Sequence, residues 1–300
     1  HKQDHGIACA MKNCILLIIW ISVLKLPTSA QEQEGNIESL FRVLEKGLVV
    51  KSSANCQYPE SGLKYHVDPG SDPAKLVHAY TCEMSFLEGG VSCSLKQYDK
   101  HQALVHDTLL GFSNSLSFGF DNKTKVMAVG SGKNGLKLLS AESRGIEMLN
   151  FGLAFLLAPK SREDLEGISF VSVADLPSRS SEVLEHLKDL EGSKKEYRYE
   201  SAEFTYQAIF DVDSAFPKIV TVKEKGLLHI EFEVLAWQEV RGALLPQKIR
   251  QKLYFEDTEV REILYSVDAY EFPKENKYSV PYADAVEIND LDYEEIIPAE

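Results

Sequence analysis

The chain has 300 residues, of which 44% are hydrophobic, and a formal net charge of −14 at pH 7. This apolar fraction is ordinary for a globular protein and permits a sizeable core. A surface this acidic repels phosphate backbones and anionic lipid headgroups at long range, so the composition argues against a nucleic-acid partner.

The first thirty residues have the layout of a secretory signal peptide. Lys12 precedes a short apolar run from Cys14 to Leu24, and small residues follow, with Thr28 and Ala30 at cleavage-site spacing. The apolar run is about half as long as a membrane-spanning helix. We therefore expect cleavage near Ala30, a periplasmic or secreted product and no stable membrane span.

The domain organisation follows from this leader. Residues 1–30 are predicted to be a signal peptide with extra N-terminal residues before Met11. Residues 31–286 are expected to form a single domain, because no linker in this stretch is long enough to require two. Residues 287–300 are predicted to be an acidic C-terminal tail.

The first elements after the leader are a helix and a hairpin. Apolar residues at spacings of three and four predict a helix over Ile37–Val50. Prolines and glycines predict a loop over Lys51–Pro73. Alternating apolar residues predict strands at Leu76–Phe86 and Val91–Tyr98, joined by a turn at the Gly89-Gly90 pair.

The middle of the chain mixes strands and helices. Leu109–Phe120 and Lys125–Val129 are predicted to be strands. The strongly apolar run Ile146–Leu157 predicts a buried helix that ends before Pro159, and Ser181–Leu190 predicts a second helix.

From Lys194 onward the pattern is almost purely that of antiparallel strands joined by tight turns. The alternating stretches are Glu196–Phe210, Phe216–Val222, Leu228–Gln238, Leu245–Phe255 and Arg261–Phe272. Together these elements predict an α+β fold, mainly antiparallel β, in which a large curved sheet or half-open barrel wraps around one or two helices.

Three cysteines follow the leader, Cys56, Cys82 and Cys93. If Gly89-Gly90 is the turn, Phe86 faces Cys93 and Cys82 lies four residues further along, about 13 Å away. That distance is too long for a disulfide, so a bridge would join Cys56 to one of the other two. Three buried reduced thiols are the alternative.

The last third of the chain carries a family resemblance. Phe216–Val220 begins a strand, and Leu228–Trp237 forms the next. Gln238–Ile249 then forms a glycine turn and a strand opened by Pro246, and Arg261–Phe272 ends in an aromatic residue and a proline. This order resembles the LolA-like superfamily of exported bacterial proteins. The resemblance implies an incomplete antiparallel barrel around helices with an apolar cavity, and a role in carrying or sensing lipoprotein acyl chains.

An apolar sheet face must be covered by something, and an incompletely filled face offers a site for an acyl chain. The candidate lining residues on the sheet are Ile230, Phe232, Val234 and Ala236, with Phe151 and Phe155 opposite. The expected function is an exported, non-catalytic binding protein whose partner is an apolar small molecule, such as an acyl chain, or a lipoprotein. The alternative is that these residues pack as a closed core.

Other functions remain open from the sequence. His101 and His106 have H-x₄-H spacing and could serve a secreted hydrolase together with distant carboxylates. An envelope-stress sensor and a purely structural envelope protein are further alternatives. The chain has no G-x-S-x-G motif, and its Asp211-Val212-Asp213 segment lacks the other residues of a calcium loop. We expect no catalytic residue, no metal and no cofactor.

Overall fold

The computed structural model describes residues 29–63, 76–113, 116–131, 155–160, 176–190, 195–211, 214–278 and 287–290. The strands within these ranges are Leu48–Gln57 (β1), Ala79–Leu87 (β2), Gly90–Tyr98 (β3), Leu104–Ser113 (β4), Leu116–Asp121 (β5), Val126–Ser131 (β6), Lys195–Glu200 (β7), Phe204–Phe210 (β8), Pro217–Glu224 (β9), Leu227–Val240 (β10), Ala243–Phe255 (β11), Thr258–Glu271 (β12) and Glu287–Asp290 (β13). The α-helices are Ser29–Glu45 (α1), Glu60–Leu63 (α2) and Ser180–Asp189 (α3), and the 3₁₀ helices are Phe155–Leu157 and Leu176–Arg179.

All thirteen of these strands belong to one sheet, in the order β13-β6-β5-β4-β3-β2-β1-β12-β11-β10-β9-β8-β7. We call β1–β6 the N-terminal half and β7–β12 the C-terminal half. Each half is an antiparallel meander, and β1 pairs antiparallel with β12 to join them. β13 adds to β6 as a parallel strand. The predicted class, a large, curved, mainly antiparallel sheet that stays open, is therefore confirmed.

The core lies on one face of this sheet and against the helices. Along β2 the side chains alternate, so that Tyr80, Cys82, Met84 and Phe86 are buried, as period-two patterning requires. The buried stripe of α1, which includes Ile37 and other apolar residues at helical spacing, joins the same hydrophobic cluster. α1 packs against β11, the 3₁₀ helix Leu176–Arg179 and α3, and therefore covers part of the C-terminal half.

Helix α1 ends five residues earlier than the periodicity predicts. Gly47, with a φ of +74°, donates its N–H to the carbonyl of Leu44, which terminates the helix. Asn276 donates a hydrogen bond from its amide to the carbonyl of Glu45 and accepts one from the N–H of Glu88. The segment after β12 thus ties the end of α1 to the β2–β3 hairpin.

The predicted loop from Lys51 is wrong at its start, because Leu48–Gln57 is a ten-residue strand in the middle of the sheet. Its inward positions from residue 52 are occupied by Ser52, Ala54 and Cys56. These residues are small or weakly apolar, so the alternation is faint in the sequence. The strand exists because β2 and β12 pair with it on both sides.

The predicted separation of Cys82 and Cys93 is also wrong. The turn between β2 and β3 is formed by Glu88 and Gly89, so that Leu87 stands opposite Gly90. Cys93 therefore pairs with Met84, and Cys82 is its diagonal neighbour, with 3.1 Å between the two Sγ atoms. Moving a turn by one residue moves the partner of every strand residue by two.

Two stretches that the sequence predicts as single strands are hairpins. The predicted strand Leu109–Phe120 is divided between β4 and β5. The stretch Glu196–Phe210 is divided between β7 and β8, where the N–H of Phe204 donates to the hydroxyl of Ser201. Serine side chains compete for backbone hydrogen bonds in this way at turns.

Some predictions concern residues that the structure does not describe. Residues 1–28, which hold most of the predicted signal peptide, residues 146–154 of the predicted apolar helix, and residues 291–300 lie outside the described residues. The first four residues of the predicted tail form β13. No helix in the described ranges combines the length and apolar character needed to cross a membrane.

Candidate binding site

Three of the predicted lining residues, Ile230, Phe232 and Val234, lie on the inward face of β10. Phe232 and Val234 are buried, and they stand opposite the buried residues Gln251 and Ile249 of β11. Ile230 is partly buried and packs against the same core cluster. The structure therefore brings these three side chains together.

Ala236 lies beyond an irregularity in the same strand. Leu235 is an extra residue relative to β11, so that Ala236 stands opposite Lys248, which is exposed. A second shift, which leaves Gln247 extra on β11, restores the pairing at Trp237. Such bulges bend a strand and turn side chains in new directions.

The structure gives no side-chain position for the two residues predicted to face β10, Phe151 and Phe155. Phe151 lies outside the described residues. Phe155 begins the 3₁₀ helix Phe155–Leu157, and its backbone alone is described. The next two residues, Leu156 and Leu157, are buried in the core cluster that contains Phe232 and Val234.

A small cavity opens at the predicted face. Its volume is about 10 Å³, and it is lined by Phe216, Pro217, Lys218, Val220, Phe232, Val234 and Ile249. A space of this size holds one water molecule and no more. Six of the seven lining residues are apolar, so the site suits an apolar group once it is widened.

Lys218 is the one ionisable residue of this lining. Its Nζ lies 3.5 Å from Oδ2 of Asp211, and both side chains are substantially exposed. An exposed ion pair of this kind contributes less than about 1 kcal/mol to stability. Lys218 can therefore exchange Asp211 for another anion at little cost.

Phe216 forms the side of the cavity next to the turn before β9. Its N–H donates to the hydroxyl of Ser214, and its ring meets the indole of Trp237 edge to face, with 6.3 Å between ring centroids. Edge-to-face aromatic pairs are favourable at this separation. Trp237 thus contacts a cavity-lining residue without lining the cavity itself.

A buried cation lies where the two halves join, and no pattern in the sequence indicated it. Arg261 on β12 is 5% exposed, and its Nη1 donates to the hydroxyl of Tyr80. Its Nε and Nη2 make no hydrogen bond within the described part of the chain. A buried charge without a carboxylate is costly. The burial of Arg261 at this junction follows from the pairing of β12 with β1, which no local pattern predicts.

The thiol of Cys56, next to Arg261, has low reactivity. Burial raises the pKa of Cys56 to about 11, with Arg261 and Tyr80 opposing this effect. A thiol with this pKa carries almost no thiolate at neutral pH and is a poor nucleophile. The cluster of Arg261, Tyr80 and Cys56 is therefore structural in character.

The two histidines of the hydrolase alternative are exposed. His101 lies in the turn before β4, where its N–H donates to Asp99, and His106 stands on β4 opposite Gln97. Within the described ranges no group of three histidine, cysteine or acidic side chains could hold a metal ion. Neither histidine is part of the apolar cavity.

A wider trough of about 380 Å³ crosses β1, β2, β3 and β12. Its lining is polar and charged, and Lys51 there pairs with Glu83 and Glu271. Charges that neutralise one another along a solvated sheet face are common and contribute little. The apolar cavity remains the candidate that fits the predicted ligand class.

No family model and no curated protein matches this sequence. Solved structures that the chain resembles in fold include a LolA superfamily protein from Nitrosomonas europaea (8% identity, 80% of this chain, 94% of that chain, TM-score 0.35). They also include a DUF1329 family protein from Desulfovibrio piger (7%, 81%, 92%, 0.43) and LprF from Mycobacterium bovis (7%, 82%, 96%, 0.26). One of these structures is a member of the superfamily that the sequence resembles, and at these identities and TM-scores the likeness transfers neither family membership nor function.

Proposed function

We propose that this chain is an exported, non-catalytic binding protein for an apolar ligand, an acyl chain or the lipid of a modified partner. The observation that carries the proposal is the apolar cavity between Phe216 and the inner faces of β9, β10 and β11. It lies against Phe232 and Val234, two residues that the alternating pattern selected as ligand-lining. No pair of catalytic groups lines it among the described residues.

The ligand must widen the cavity before it can bind. Each buried methylene stabilises a complex by about 0.8 kcal/mol, so a few methylenes offset a local rearrangement. Phe216 is the side chain whose displacement opens the space, because it immediately precedes β9 and follows the short turn at Ser214. The β-sheet residues opposite are held by strand pairing on both sides.

Lys218 indicates which end of the ligand faces solvent. It lines the cavity and its side chain is substantially exposed. A carboxylate or phosphate at the end of an acyl chain would replace Asp211 as its partner. The preferred ligand is therefore an anionic amphiphile such as a long-chain fatty acid, whose headgroup Lys218 attracts at short range although the acidic surface repels it at long range.

Trp237 provides a direct test of this site. The sequence has two tryptophans, and Trp20 lies in the predicted signal peptide. In the full chain carrying Trp20→Phe, a brominated fatty acid should quench the fluorescence of Trp237, and the bromine-free acid should not. Heavy-atom quenching requires near contact, so it would locate the acyl chain near Trp237, whose indole meets the ring of Phe216.

Two variants sharpen this experiment. Phe216→Ala should increase the affinity for the brominated acid several-fold, because it enlarges the cavity, whereas Phe255→Ala at an exposed position should leave it unchanged. Phe232→Asp should abolish quenching, with circular dichroism reporting whether the fold persists. Absence of quenching in both the parent chain and Phe216→Ala would refute the proposed site.

A further inference from the structure

Cys82 and Cys93 face each other inside the N-terminal half. Cys82 on β2 stands opposite Leu95, and Cys93 on β3 stands opposite Met84, so the two cysteines are diagonal neighbours on the buried face. Their Sγ atoms are 3.1 Å apart. A disulfide bond is about 2.05 Å long, so the sulfurs need to approach by only about 1 Å.

The third cysteine of the described residues is not a competing partner. On β1 it is Ser52 that stands opposite Cys82, and Cys56 lies four positions further along the strand. That offset corresponds to about 13 Å. Cys56 instead hydrogen-bonds with Tyr80 and is under the electrostatic influence of Arg261.

We propose that Cys82 and Cys93 form a cross-strand disulfide when the chain folds in the presence of a disulfide oxidant, and that Cys56 remains a thiol. The oxidant is a low-molecular-weight disulfide such as oxidised glutathione, or the disulfide of an exported oxidoreductase. One cysteine thiolate attacks the oxidant and releases its first thiol. The second cysteine then displaces the other half, and the Sγ–Sγ bond forms. The two cysteines lose two electrons and two protons, and the oxidant becomes two thiols.

The bond must form before the hairpin packs into the core. Cys93 is fully buried and Cys82 nearly so, and an oxidant therefore cannot reach them in the folded protein. The hydrogen bond with Cys82, and then burial, raise the pKa of Cys93, which makes thiolate scarce after folding. The same burial protects the completed disulfide from reductants.

Proteolysis of the full chain tests the pairing. The chain is refolded from denaturant with reduced and oxidised glutathione, unfolded in N-ethylmaleimide, and digested with trypsin. No lysine or arginine lies between Leu76 and Lys96, so one tryptic peptide carries both cysteines. Cleavage after Glu83 then separates Cys82 from Cys93, unless a disulfide joins the two fragments. We expect joined, unlabelled fragments, together with a labelled Cys56.

Measurements of unfolding stability provide a second test of the disulfide. Dithiothreitol should lower the urea midpoint of the oxidised chain and leave the urea midpoint of Cys82→Ser/Cys93→Ser unchanged. Closing so short a loop corresponds to about a hundred-fold change in the folding equilibrium. Cys56→Ser is the matched control and should retain the joined fragments. Labelled Cys82 and Cys93 after refolding, or a bridge that includes Cys56, would overturn the proposal.

Discussion

The two halves of the sheet have the same connectivity and the same number of strands, yet their interiors differ. In the N-terminal half, a Cβ added at Gly111 would lie 2.2 Å from both the ring of Phe118 and the hydroxyl of Tyr278, and two sulfurs are in contact. In the C-terminal half, bulges interrupt the pairing of β10 with β11, and a cavity lies near them. Close packing suits the disulfide that we propose for one half, and looser packing suits the ligand that we propose for the other.

The junction between the halves differs from both. β1 and β12 belong to opposite ends of the sequence, and their pairing places Arg261 against residues of the N-terminal half. The interior of each half is mainly apolar, whereas the junction includes the buried guanidinium of Arg261. Substitutions in each of the three regions can therefore test the contrast.

The largest expected effect is crowding in the N-terminal half. Gly111→Ala should lower the free energy of unfolding by about 3 kcal/mol, because the neighbouring ring and hydroxyl must both move. Gly89→Ala is the control: nothing lies within 4 Å of its added Cβ, so its positive φ alone should cost about 1 kcal/mol. Urea denaturation measures both. Equal losses would mean that this half is not tightly packed.

A substitution at the junction should have the opposite sign. Arg261→Met removes a buried charge and keeps a side chain of similar length, so the free energy of unfolding should rise by about 2 kcal/mol. Arg42→Met on the exposed surface of α1 should change it by less than about 0.5 kcal/mol. Thermal or urea unfolding measures both changes. A large loss of unfolding free energy in Arg261→Met would show that interactions of the guanidinium offset the cost of burying its charge.

The smallest expected effect compares the two halves directly. Val91 on β3 and Val234 on β10 are both 4% exposed. Val91→Ile adds a methylene to a filled region and should cost about 1 kcal/mol. Val234→Ile adds the same group beside the cavity and should cost less than about 0.5 kcal/mol, while weakening acyl-probe binding. A reversed order in the urea midpoints would contradict the contrast between the halves.

The sequence alone determined the class of the fold and one face of the candidate site. Alternation with a period of two is a property of neighbouring residues, and it identified most strands of the C-terminal half as well as the shared face of Phe232 and Val234. The apolar stripe of α1 is local in the same sense. Local patterns also predicted the export signal, which remains a prediction.

Only the tertiary structure decided the features that depend on distant residues. The position of one turn moved Cys82 next to Cys93, and a bulge placed Ala236 opposite an exposed residue. The pairing of β1 with β12 stabilises β1 as a strand although its alternating pattern is weak, and the same pairing buries Arg261. Register, burial and cavity volume arise from contacts between segments far apart in the chain, and no local pattern encodes them.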